Sequence, residues 1–96
     1  MTAISRTQTA TFRRYYFCHL IASGINTVPA IMEATGMPRR TVQDTLKSLE
    51  EIGVRCGFEQ SEGARHNQGH YRILDWGPIK GDWIAAHLDD VKAVLA

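Results

Sequence analysis

Residues 27–54, TVPAIMEATGMPRRTVQDTLKSLEEIGV, leave this chain few ways to fold. Thr27 can cap a helix, and Pro29 sits in its first turn, where a missing N–H costs nothing. Val28, Ile31 and Met32 then recur at i, i+3, i+4 and make one apolar stripe. Gly36 follows, a residue for which the left-handed conformation at a helix end is cheap. Pro38 is placed to open a second helix from its first position. Val42, Leu46 and Leu49, with Thr45 beside them, form its buried stripe, and Ile52-Gly53 ends it. A short helix, a glycine turn and a longer helix make a helix-turn-helix arrangement.

The outer side of the second helix carries the chemistry. With Val42 at 0° and about 100° per residue, Arg40, Asp44 and Lys47 fall at about 160°, 200° and 140°. Thr41 and Ser48 lie near them, and Arg39 and Gln43 sit on the shoulder. Short and forked donors and acceptors of this kind can read base edges in a major groove. A solvated helix face would use the same residue types. The helix-turn-helix context and the hairpin after it favour the functional reading.

The rest of the chain supplies a frame for that pair. Residues 1–8 are polar and aperiodic and read as an arm. Residues 9–23, TATFRRYYFCHLIAS, read as a first helix stopped by Gly24, with Phe17, Leu20 and Ile21 as its core stripe. Phe12, Tyr15 and Tyr16 add aromatic surface outside that stripe. Residues 54–59 alternate with period two, and residues 70–74 repeat the idea with Tyr71 and Ile73 on one side. Between them a polar, glycine-bearing loop is too long for a two-residue hairpin turn. Asp75-Trp76-Gly77-Pro78 is turn chemistry. From about Asp82 a last helix presents Trp83, Ile84, His87, Leu88, Val91 and Leu95 at spacings of three and four.

The 96 residues are one domain, with 44% apolar and 22% charged residues, as in ordinary globular proteins. The net charge is only +1, yet it is unevenly spread. Residues 1–27 carry +3 through Arg6, Arg13 and Arg14, residues 36–48 carry +2, and residues 73–96 carry −2. Such polarity can direct one side toward phosphate. Two distant cysteines, no signal-peptide pattern and no long apolar run point to a reduced, cytoplasmic setting away from membranes.

At this point the segment IMEATGMPRRTVQDTLKSLEEIGV closely resembles winged helix-turn-helix bacterial regulators of the small stand-alone type. The family pattern is an alanine-rich helix, a glycine turn and a polar helix ending in LxxLEExG. Here Leu46, Leu49, Glu50, Glu51 and Gly53 stand in that ending, and Met37 takes the small apolar turn position. The resemblance covers about residues 10–75. It implies an α+β winged helix, mainly α: a three-helix core, a two-stranded wing and an additional C-terminal helix over residues 79–96. It further implies DNA contact through Arg39, Arg40, Thr41, Gln43, Asp44 and Lys47, with the wing beside them. At the wing tip Arg65, His66, Asn67 and Gln68 have donors for phosphate or the minor groove.

The expected function is therefore a sequence-specific transcriptional regulator of double-stranded DNA. Residues 38–48 would enter the major groove, and the wing, residues 60–69, would lie on the flanking backbone or minor groove. The alternative is a winged helix that binds protein as an adaptor, which the near-neutral net charge favours. The surplus apolar surface predicts a homodimer through Tyr16, Trp83, Ile84, Leu88, Val91 and Leu95. No catalytic constellation stands out among the four histidines. Cys56, His66 and His70 straddle a hairpin loop and do not make a zinc site, so neither metal nor cofactor is expected.

Overall fold

The computed structural model describes residues 3–60 and 69–96. Helix α1 spans Arg6–Ala22. It begins three residues before the position read from its apolar pattern, because Ser5 is an effective cap: its Oγ accepts the Gln8 N–H at 3.0 Å. The far end closes with Gly24 N–H on Ile21 O at 3.2 Å and Ile25 N–H on Leu20 O at 2.9 Å. This pair of bonds satisfies the last carbonyls and turns the chain back.

Helix α2 spans Val28–Thr35, with Thr27 Oγ1 accepting the Ala30 N–H at 3.2 Å. Gly36 follows at φ 73°, the left-handed geometry the sequence anticipates. Helix α3 spans Arg39–Ser48. Pro38 stands just outside it at ψ 155°, not in the first turn, and its carbonyl accepts the Val42 N–H at 3.1 Å. A single 3-10 turn, Glu50–Ile52, leads to Gly53 at φ 90°.

Strands β1 (Arg55–Gln60) and β2 (Gly69–Asp75) pair antiparallel, with Cys56 opposite Ile73 and Phe58 opposite Tyr71. The register slips by one residue at Arg55/Cys56, leaving Leu74 as an extra residue on β2. Cys56, Tyr71 and Ile73 pack on the core, and Phe58 meets the Tyr71 ring edge-on at 5.0 Å. The Tyr71 N–H donates to Asn26 O at 2.7 Å, which ties the hairpin to the α1–α2 connection.

The C-terminal segment is two helices, α4 (Gly81–Ala86) and α5 (Leu88–Leu95), where the periodicity predicts one. His87 breaks the run at φ −114°, with its Nδ1 2.8 Å from Trp83 O. Both helices pack on α1. The bend at His87 accompanies full burial of both Ile84 and Val91, one from each helix. These two candidate dimer residues are therefore spent inside their own chain, because α1 needs covering along its length. Before α4, the turn at Gly77-Pro78 lies against Gly53, so close that a Cβ on Gly77 would collide with the Gly53 backbone.

The main core joins Phe17, Cys18, Leu20 and Ile21 of α1 to Ile31, Val42, Leu46, Leu49 and Val54. Both cysteines are free thiols. Burial is the main cause pushing the Cys18 thiol from 9.0 up to about 12, and burial also raises Cys56. A raised folded-state value means the contribution is fully present below the unfolded value and is lost as pH rises toward the folded one. Between pH 9 and 12 the stability advantage of wild type over Cys18→Ala in urea unfolding should shrink, by at most about 1.4 kcal/mol per pH unit. An advantage that stays constant across that range would mean the thiol ionises as easily in the fold as out of it.

Candidate nucleic-acid interface

Burial of Val42, Thr45 and Leu46 fixes which side of α3 is left for solvent. Arg39, Arg40, Gln43, Asp44 and Lys47 are all exposed there, on a helix about 15 Å long. The Arg40 side chain is 93% exposed and Asp44 71%, and Arg40 Nε stands 3.9 Å from Asp44 Oδ2. That pair is long and solvated, so the Arg40 fork is free to leave it for a better acceptor. Thr41 departs from the group. It is half-buried and lies on the flank toward α1, its carbonyl accepting the Thr45 hydroxyl at 2.8 Å.

On that flank α1 contributes two cations that the periodicity of α3 could not reveal. Arg14 Nε donates to Ser48 Oγ at 2.8 Å, and Arg13 lies one residue before it on the same cleft. The excess positive charge of residues 1–27 was the visible signal, although sequence spacing alone does not show that α1 runs beside α3.

The hairpin is less cationic than its composition implies. Glu59 takes Arg72 Nη1 at 3.2 Å and stands 3.4 Å from His70 Nε2. The wing-tip candidates Arg65, His66, Asn67 and Gln68 lie outside the described residues. Among the described residues no three of His, Cys, Asp and Glu gather as metal ligands would. No helix there is long and apolar enough to cross a membrane.

A three-helix core that buries one side of its third helix and is followed by an antiparallel hairpin defines a winged helix domain. The chain belongs to the winged helix-turn-helix family, whose model matches residues 6–95. It is also similar to a crystal structure of a DUF2131 family protein from Shewanella amazonensis. That likeness is 40% identity with a TM-score of 0.88, over 96% of this chain and 94% of the other. No curated protein matches.

Exposure of Arg40 and Asp44 sets a limit on what they do for the fold. In a double-mutant cycle of Arg40→Ala and Asp44→Ala by urea unfolding, the coupling should be no more than about 0.5 kcal/mol. A coupling above about 1 kcal/mol would give the pair a structural role.

Proposed function

We propose that this domain is a sequence-specific regulator of transcription that binds double-stranded DNA. One observation carries the reading: Arg39, Arg40, Gln43, Asp44 and Lys47 stand exposed on one side of a helix whose other side is wholly buried. In this reading residues 38–48 enter the major groove, α2 crosses the backbone, and the wing, residues 60–69, lies on the flanking backbone or minor groove. Arg40 reads guanine O6 and N7, and Asp44 orients its fork or accepts from cytosine N4. Lys47 and Arg39 hold phosphate, which positions the protein without selecting sequence. The role is one of binding in the cytoplasm, with no catalytic step and no cofactor.

Duplex binding followed against salt tests it. With three to five phosphates neutralised per subunit, log K should fall with log salt at a slope of about −3 to −5. Arg40→Ala should cost about 1–3 kcal/mol on the preferred site and little on random duplex. A protein that binds no duplex at about 50 mM salt would leave the adaptor reading in place. That second reading is favoured by Phe58 and Leu74, apolar side chains about half exposed on the hairpin.

A homodimer is part of the same proposal, supported by an aromatic ladder along α1 and α4. Phe12 stacks on Tyr15 at 5.6 Å, Tyr15 meets Trp83 at 6.2 Å, and Trp83 stacks on His87 at 4.2 Å. Trp83 keeps 43% of its surface exposed. With Ile84 and Val91 buried in the subunit, Trp83 and Leu88 become the centre of the proposed contact, bordered by Tyr16 and Leu95. A two-fold axis there calls for a near-palindromic operator with half-sites one helical turn, about 34 Å, apart. Sedimentation at about 100 µM should give a dimer, and Leu88→Glu a monomer. A wild type that is monomeric at that concentration ends the dimer proposal.

A further inference from the structure

Between α1 and α3 lies a cleft of about 260 Å³, with Arg13 and Arg14 on one wall and Thr41, Asp44, Thr45 and Ser48 on the other. Two of the three hydroxyl protons of the second wall are already used within α3: Thr45 Oγ1 donates to Thr41 O at 2.8 Å and Ser48 Oγ to Thr45 O at 2.7 Å. Ser48 Oγ therefore meets Arg14 as an acceptor, at 2.8 Å from Nε. A guanidinium has five N–H donors, and that bond occupies one. Among the described residues no other hydrogen bond holds Arg14, so its terminal nitrogens are steadied at the cleft and still open.

Arg13 is less settled. Its Nε is shielded from water and has no hydrogen-bond partner among the described residues. A buried cationic N–H without an acceptor is costly; being closed to water it is closed to a ligand too, so a group entering the cleft meets Arg13 at its terminal nitrogens. The cleft's single carboxylate, Asp44, stands near Arg40 on the outer side. Two guanidinium forks against one carboxylate leave the cleft with an excess of positive charge. The group that takes two planar forks at once, through several oxygens, is phosphate.

We propose that this cleft is a phosphate-binding site in which Arg13 and Arg14 hold one phosphate group. Ser48 is a positioning residue that acts through Arg14. With regard to the source of the phosphate, the inference rests on the DNA reading. A helix lying in the major groove brings its flank near one strand, and the phosphate is then a backbone phosphodiester. A free phosphorylated ligand offers the same chemistry.

Two measurements on the full chain separate these sources. The first is the salt dependence of duplex binding, and the second is the response of the arginine Nε–H resonances to inorganic phosphate against chloride at equal ionic strength. Arg13→Gln and Arg14→Gln should each make the duplex slope shallower by about one unit and abolish the phosphate response. Arg13→Lys and Arg14→Lys keep the charge, and with it a fold that the glutamines could disturb. They should retain the slope and weaken duplex binding severalfold, because the fork is lost. Ser48→Ala should also weaken binding with the slope retained.

Duplex binding whose slope and affinity are unchanged in all four arginine variants would overturn the inference and leave the DNA reading standing. A wild type that ignores duplex but responds to phosphate through these arginines would end the DNA reading and keep the site, with a free phosphorylated ligand as occupant. Neither duplex binding nor a phosphate response would overturn both.

Discussion

Val42 and Leu46 of α3, with Leu49 at its C-terminal cap, join the same apolar cluster as Phe17 of α1 and Ile31 of α2. A helix of ten residues has little stability of its own in water, so this burial is what makes α3 a helix at all. It also sets the rotation of α3 about its axis. Once those three side chains are inside, Arg39, Arg40, Gln43, Asp44 and Lys47 have nowhere to go but outward. The exposed polar face is thus a consequence of core packing, and rotating α3 to change it would expose the core.

Holding that helix in place is a matter of how its ends are tied. Gly36 at φ 73° and Gly53 at φ 90° turn the chain sharply on both sides of α3. The Gly77-Pro78 turn then rests against Gly53, and a side chain on Gly77 would collide with the Gly53 backbone. The hairpin gains its own anchor from the Tyr71–Asn26 backbone bond and from Cys56, Tyr71 and Ile73 on the core. Two strands alone would be marginal, and packing on the helices makes up the deficit. Helix α3 and the hairpin are thereby held in one fixed relation, which any surface recognising two features of a partner needs.

The C-terminal helices close the other side of α1. Ile84 and Val91 disappear into the fold while Trp83 stays at the surface, stacked on His87. The same segment therefore completes one core and displays an aromatic surface. Charge follows a similar division: Glu59 draws in Arg72 and stands beside His70 on the hairpin, whereas among the described residues the cations of α1 and α3 have no carboxylate within ion-pair distance except Asp44, 3.9 Å from Arg40.

Residues 27–54 determined the helix-turn-helix by themselves, because a threonine cap, two apolar stripes of helical period and glycines at both turns admit little else. The hairpin was legible for the same reason, its alternation having period two, and so was the outer side of α3, since helical geometry places residues around an axis. Local signals also have limits. The cap at Ser5 was masked by a polar stretch that reads as an arm, and the break at His87 by a continuous period of three and four. Which apolar residues of the last segment turn inward was decided by the shape of α1. That Arg13 and Arg14 stand across a cleft from Ser48 was decided only by tertiary structure. Periodicity describes one helix about its own axis, and it holds no information on which neighbour a helix will meet or at what distance.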